Sequence, residues 1–310
     1  MLQINDKWVW DFWLIQEGAE HHIFYLQAPT ALGDERRRHF NATIGHAKSS
    51  DLKSWTILPD VLGPGKAGEW DDLATWTGST FRHQDRWYIF YTGINKAEKG
   101  KVQRVGVAVS DDLLHWSKQA GNPIIESDSR WYQQKDDVEW HDQAWRDPWV
   151  FEYKDQFHAL ITARSNNGSK DGRGVIAHAI SDDLLNWIVQ APITEPGDYG
   201  QLEVPQLIEV NSRHYLVFST DKFSHSQALL DKIKKAPLTG TACYLGETPL
   251  GPFVKHNNPW LFADEAGLLY SGKFIKADET GWIFMAFENY GADGEFIGRI
   301  PDPFIVDPPK

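Results

Sequence analysis

Ser49–Trp55 (SSDLKSW), Ser110–Trp116 (SDDLLHW) and Ser181–Trp187 (SDDLLNW) are three versions of one segment, with their tryptophans 61 and 71 residues apart. Each copy follows a short run of strand type (IGHAKS, VGVAVS, VIAHAIS). The segment therefore reads as a strand ending in an Asp-rich turn, with the Trp folding back over it. A β-unit of this period is too long for a solenoid coil and suits the blade of a propeller.

A second series counts the blades. Strand-like runs begin at His21 (HHIFYLQA), Arg86 (RWYIFYTG), Gln156 (QFHALITA), Arg213 (RHYLVFST) and Gly281 (GWIFMAFE), with steps of 65, 70, 57 and 68 residues. Dividing 310 residues among five units leaves about 62 each, room for four short strands and their loops. The expected fold is all-β, a five-bladed β-propeller forming a single domain over residues 1–310. Only Ser224–Lys235 looks helical, with Leu229, Leu230 and Ile233 on one side, and it reads as a surface insertion. Asp302–Lys310 reads as a polar terminal tail.

If the five runs are equivalent second strands, residues about ten positions upstream lie on the first strands, which line the axis. Those places hold Trp10-Asp11, Trp76-Thr77-Gly78-Ser79, Arg146-Asp147-Pro148, Glu203-Val204-Pro205 and Tyr270-Ser271-Gly272. Taken alone, each acid is a turn Asp, a strand-edge Glu or half of a surface ion pair; their common offset argues otherwise. Carboxylates crowded at an axis cost folding energy, because like charges and desolvation both resist ionisation. Such clusters favour a catalytic explanation. Two carboxyl groups flanking a glycosidic bond are the minimum for cleaving it, one protonating the leaving oxygen and one attacking the anomeric carbon or activating water. A third can hold sugar hydroxyls, and Arg146 beside Asp147 can keep that acid ionised.

Composition narrows the partners. A net charge of −12 repels phosphate backbones and anionic membranes, so a neutral small carbohydrate is expected and neither nucleic acid nor membrane. Fifteen tryptophans suit stacking on sugar faces, or simply filling wide gaps between sheets. The single Cys243 allows no internal disulfide. His21, His22, His46, His115 and His141 show no ligand spacing, and Glu139, His141 and Asp142 read as a solvated loop, so no metal or cofactor is expected. The first residues lack a secretory pattern and no long apolar run occurs, which leads to the expectation of a soluble cytoplasmic protein.

At these motifs the chain resembles the sucrose- and fructan-active enzymes of glycoside hydrolase families 32 and 68, over about Trp8 to Glu288. Trp10-Asp11-Phe12-Trp13-Leu14 is similar to the Trp-Asp-Ser-Trp-Pro nucleophile motif of levansucrases. Gly45–Trp55 resembles the Gly-His-Ala-x-Ser-x-Asp-Leu-x-x-Trp of family 32, and Trp76-Thr77-Gly78-Ser79 the Trp-Ser-Gly-Ser of family 68. Arg146-Asp147-Pro148 matches the Arg-Asp-Pro of both families, and Gln201–Pro205 resembles their acid/base segment. The chain departs from the pattern in lacking Asn-Asp-Pro-Asn-Gly around Asp11 and in carrying Gln201 where family 68 has an acid.

The resemblance implies Asp11 as nucleophile, Glu203 as general acid/base and Asp147 as transition-state stabiliser, with Trp10, Trp76, Thr77, Ser79 and Arg146 lining the sugar subsite. It implies a retaining hydrolase of a small β-fructofuranoside such as sucrose, with fructosyl transfer as a second outcome. The competing readings are an inverting arabinofuranosidase or xylosidase like those of families 43 and 62, and a sugar-binding propeller without turnover.

Overall fold

A computed structural model describes residues 1–135, 140–277 and 281–309 of the chain. Twenty strands of the described residues form five four-stranded antiparallel sheets. Blade 1 holds β1 (Lys7–Glu17), β2 (Glu20–Pro29), β3 (Thr43–Ser49) and β4 (Thr56–Leu62). Blade 2 holds β5 (Ala74–His83), β6 (Arg86–Ile94), β7 (Arg104–Ser110) and β8 (Ser117–Lys118). Blade 3 holds β9 (Trp145–Tyr153), β10 (Gln156–Arg164), β11 (Gly174–Ser181) and β12 (Trp187–Gln190). Blade 4 holds β13 (Glu203–Val210), β14 (Arg213–Thr220), β15 (Thr239–Gly246) and β16 (Phe253–Asp264). In these four, strands neighbour one another in sequence order. In blade 5, β17 (Leu269–Ala277) pairs with β18 (Gly281–Tyr290), whose two ends pair with β19 (Phe296–Arg299) and β20 (Phe304–Val306). This is the five-bladed propeller expected from the spacing.

The five strand-like runs are the second strands β2, β6, β10, β14 and β18, four starting at the expected residue and β2 one earlier. The expected polar tail is corrected: Phe304–Val306 pairs with Trp282–Phe284 and extends blade 5. Its short apolar triplet adds a largely exposed edge that the flanking prolines and acids disguise. The expected helix also shrinks, to α1 (Gln227–Ile233), capped by the Ser226 side chain and ended by left-handed Lys234.

The repeated segment is the turn from third to fourth strand in blades 1 to 3. Asp51, Asp112 and Asp183 each accept two backbone N–H bonds through Oδ1, from Lys53 and Ser54, Leu114 and His115, and Leu185 and Asn186, at 2.7–2.9 Å. The following leucines, Leu52, Leu113 and Leu184, have φ of 59°, 64° and 67° and are buried. Left-handed backbone strains a leucine, and burial of its side chain offsets that strain. Trp116 and Trp187 fold back to donate to the carbonyls of Leu113 and Leu184.

Leu2 exchanges two backbone bonds with Ile300, at 2.8 and 3.0 Å, so the chain's beginning is tied to blade 5. Trp13 and Trp145 are fully buried, and Trp13 reaches from blade 1 to Thr80 of blade 2, so these tryptophans fill the space between sheets. No helix of the described residues is long and apolar enough to cross a membrane.

Candidate active site

Every first strand is interrupted at the same level. The ladder between first and second strands shifts register at Trp10/Phe12, Trp76/Gly78, Leu160/Thr162, Glu203/Gln206 and Tyr270/Lys273. The residues left over are Asp11, Thr77, Asp147-Pro148, Val204-Pro205 and Ser271-Gly272. A bulge unpairs a residue and re-aims its side chain, which is how a strand lining an axis can turn a carboxylate inward. Asp147, Val204 and Ser271 take φ of 58°, 52° and 53°, and for the β-branched Val204 this is a true outlier.

The registers correct one element of the sequence reading. Asp11, Thr77, Asp147, Val204 and Ser271 form the bulge level, whereas Trp10, Trp76, Arg146, Glu203 and Tyr270 are the last paired residues before it. Glu203 therefore sits one position off the level of Asp11 and Asp147. A constant offset from the second strands cannot resolve this, because bulges of one and two residues produce similar spacings.

The three acids are held by different partners. Thr77 Oγ1 donates to Asp11 Oδ2 at 3.1 Å, and the Ser271 hydroxyl donates to Asp11 Oδ1. Burial raises the Asp11 pKa above the usual carboxylate range, against the Ser271 hydrogen bond. Asp147 Oδ2 accepts from Thr162 Oγ1 at 3.0 Å and from the Val204 N–H at 3.1 Å, with Arg146 Nε 3.7 Å away. Burial pushes Asp147 up to about 7, opposed by Arg146. Glu203 receives Arg146 Nη2 at 2.6 Å on Oε1 and the Tyr270 hydroxyl on Oε2. Although burial works against it, the carboxylates of Glu203, Asp142 and Asp147 hold the Arg146 guanidinium charged. Gln103 fixes its other edge, with Oε1 3.1 Å from Nη1.

These groups open into a cavity of about 630 Å³, the size of an ordinary small-molecule pocket. Trp10, Asp11, Trp76, Thr77, Arg146, Asp147 and Glu203 all line it, so seven of the eight expected site residues meet there. Ser79 does not: it is buried between blades, where its hydroxyl accepts the Val150 N–H at 3.0 Å. Two positions of travel along a strand carry a side chain away from the bulge, which a tripeptide likeness does not convey.

Sequence reasoning missed Tyr270, though it stands at the right offset beside Ser271. It also missed Arg38 and His39, which a 3₁₀ turn (Glu35–Asn41) folds against the cavity wall. Nothing in their spacing marks them, since the loop is outside the repeat. His39 sits edge-on to Trp10 and Trp76, its carbonyl accepts from Trp76 Nε1 at 2.6 Å, and burial lowers its pKa to about 3. Asp221 lines the cavity as well, raised by burial and by Glu203.

The histidines considered in the sequence are dispersed. His22 and His46 form a buried pair with ring nitrogens 2.9 Å apart, His115 binds Asp112, and His141 lies 3.6 Å from Asp142. Asp142 is a partner of Arg146 and Gln103 rather than part of a solvated loop. Glu139 lies outside the described residues. Among the described residues no group of three His, Cys, Asp or Glu side chains is arranged to hold a metal.

The fold and this cavity define a five-bladed propeller with three carboxyl groups converging on one pocket. The family model of the glycosyl hydrolases family 32 N-terminal domain matches residues 7–287, and the chain belongs to that family. Sucrose-6-phosphate hydrolase of Bacillus subtilis is 27% identical over 209 residues, covering 65% of this chain and 39% of that protein. The Streptococcus mutans protein of the same name is 27% identical over 205 residues, covering 66% and 40%. The chain thus spans about two fifths of the length of these relatives. Among solved structures, B. subtilis levansucrase matches with a TM-score of 0.77 at 15% identity, over 99% of this chain and 85% of that one. An inulosucrase from Halalkalicoccus jeotgali bound to kestose matches with a TM-score of 0.72 at 21% identity, over 94% and 78%.

Proposed function

We propose that this chain is a retaining glycoside hydrolase acting on a small β-fructofuranoside such as sucrose, working as a single catalytic unit over residues 1–310. The observation that carries the reading is the meeting of Asp11, Asp147 and Glu203 in one cavity, each on a different blade and each with its own hydrogen-bond partners. Family membership and the names of the relatives support fructosides as substrates. The net charge of −12 supports a neutral ligand over nucleic acid or an anionic membrane. A cytoplasmic location is part of the proposal, tested by cell fractionation.

In the first half-reaction the Asp11 carboxylate attacks the anomeric carbon of the fructosyl unit while Glu203 gives its proton to the departing glycosidic oxygen. The products are a covalent fructosyl ester on Asp11 and the free leaving sugar. Arg146 and Tyr270, already on the two Glu203 oxygens, stabilise the carboxylate that this transfer leaves behind. Glu203 then takes a proton from water, which attacks the same carbon and releases fructose and Asp11; a sugar hydroxyl in place of water gives transfer. Asp147, anchored from Thr162 and Val204, offers its free oxygen to ring hydroxyls as positive charge develops at the anomeric carbon.

The protein is incubated with sucrose, sucrose-6-phosphate, kestose and nitrophenyl arabinoside and xyloside, and released sugar is measured. Fructosides are cleaved, NMR shows the β-anomer of fructose first, and Glu203→Gln lowers kcat/KM about 10³-fold. First release of the inverted anomer, cleavage of the nitrophenyl sugars alone, or an unimpaired Glu203→Gln variant refutes the reading.

A further inference from the structure

Blade 5 contributes none of the three acids, yet its first strand binds two of them and the backbone residue that holds the third. Within the tetrapeptide Tyr270-Ser271-Gly272-Lys273, the Tyr270 hydroxyl binds Glu203 and the Ser271 hydroxyl binds Asp11. Lys273 extends to the Val204 carbonyl, with Nζ to O at 2.7 Å. Val204 is the left-handed residue between Glu203 and Pro205, and its own N–H holds Asp147. The strained residue is thus held at its carbonyl by Lys273 and at its N–H by Asp147.

We propose that Lys273 is a positioning residue of the active site, whose buried ammonium fixes the Val204 backbone and so places Glu203 and Asp147. The proposal rests on the assignment of those three acids as the reacting groups. Lys273 is 3% exposed and does not line the catalytic cavity. It lies one residue beyond the bulge, between that cavity and a smaller one of about 220 Å³ walled by β1, β17, Trp149 and Gln206. It therefore acts from beneath the acids without meeting substrate.

A buried ammonium is expensive unless hydrogen-bonded and compensated by opposite charge. Lys273 has one carbonyl and the nearby charges of Asp11 and Asp147, and burial still lowers its pKa to about 8. A methionine would fill the same space at less cost, so stability alone is a poor reason for a lysine here. Arg146 meets Glu203, Asp147 and Asp142, whereas Lys273 lowers the pKa of Asp11. Two cations, both near Asp147 and otherwise facing different carboxylates, offset the charge of three acids in one cavity.

The test compares Lys273→Met, which removes charge and hydrogen bond, with Lys273→Gln, which removes the charge and keeps a donor. In Lys273→Met, kcat falls about 10- to 100-fold with KM within about threefold, the signature of misplaced reacting groups. In both variants the acid limb of kcat/KM moves upward, because Asp11 has lost a cation that favoured its ionisation. The groups that face Lys273 are Asp11 from β1, Asp147 from β9 and the Val204 carbonyl from β13; His21 from β2 and Lys276 from β17 line the lower cavity. Repeating the profile with His21→Gln removes the titration of that histidine from the comparison. An unshifted limb with kcat within twofold of the parent overturns the proposal. If Lys273→Met does not fold, kcat and KM of Lys273→Gln decide together with its limb. An unimpaired Glu203→Gln variant points instead to failure of the underlying acid assignment.

Discussion

The axis and the rim of this propeller use the same side chain in opposite ways. At the rim, Asp51, Asp112 and Asp183 stand in solvent-facing turns, each ringed by backbone N–H groups, and their pKa values fall below the ordinary range, first through hydrogen bonds from Ser54, His115 and Asn186. At the axis, burial raises Asp11 and Asp147. The rim acids are most favourable when ionised and support the fold. Ionising the axis acids goes against the preference of their surroundings, a pattern that clusters at functional sites. Charge sign and residue type are identical; the number of donors and the access of water decide the outcome.

The largest effect that sharpens this contrast is expected from Asp147→Asn. The amide oxygen still accepts from Thr162 and Val204, so the geometry survives while the charge is lost. Fructoside cleavage falls about 10²-fold or more, whereas the melting midpoint rises. The sign follows from a folded pKa of about 7 against 3.8 in the unfolded chain. Ionisation then costs the folded state little at pH 4 and most above pH 7, so the gain, on the order of 1–3 kcal/mol, is seen at pH 8 and fades toward pH 4. A midpoint lowered at pH 8 breaks the contrast.

A smaller effect belongs to the region between rim and axis. His22–His46 in blade 1 and His158–His178 in blade 3 are buried pairs with ring nitrogens 2.9 Å apart, each pair bridging second and third strands. Burial lowers His46 to about 3 and His178 to about 4. The folded pKa lies below the unfolded 6.5, so this stability is complete above pH 6.5 and is lost as pH falls toward 4, by up to about 1.4 kcal/mol per pH unit for each histidine. Calorimetry between pH 7 and 4.5 shows the loss, and His178→Gln makes it shallower; an identical pH slope in that variant removes His178 from the explanation.

The smallest effect is expected at the rim. Asp112→Asn weakens the charge-assisted bonds to Leu114 and His115, lowers the melting midpoint slightly near neutral pH, and leaves fructoside cleavage within twofold. With a depressed folded pKa, the stabilisation is present above about pH 4 and declines in stronger acid. A larger loss of activity than of stability would join rim to axis and end the distinction.

The repeats made most of the fold legible, because the turn of Asp51, Asp112 and Asp183 and the runs of β2, β6, β10, β14 and β18 are local patterns of hydrogen bonding and alternation. Those patterns placed Asp11, Asp147 and Glu203 on first strands near the axis. Strand β20 escaped notice because Phe304–Val306 gains its partner only from Trp282–Phe284, in the adjoining part of blade 5. Ser79 lies outside the cavity because neighbours in sequence face different surroundings beyond a bulge.

What the sequence determined by itself was the number of blades, their order and the presence of three acids at matching offsets, all properties of short segments repeated along one chain. The tertiary structure decided which residues the bulges turned inward, that Glu203 stands at a different level from Asp11 and Asp147, and that Tyr270 and Ser271 of blade 5 bind Glu203 and Asp11 while Lys273 binds the Val204 carbonyl beside Asp147. Those outcomes depend on ring closure through Leu2 and Ile300 and on burial at the axis, where distance and dielectric arise only once blades far apart in the chain have packed together.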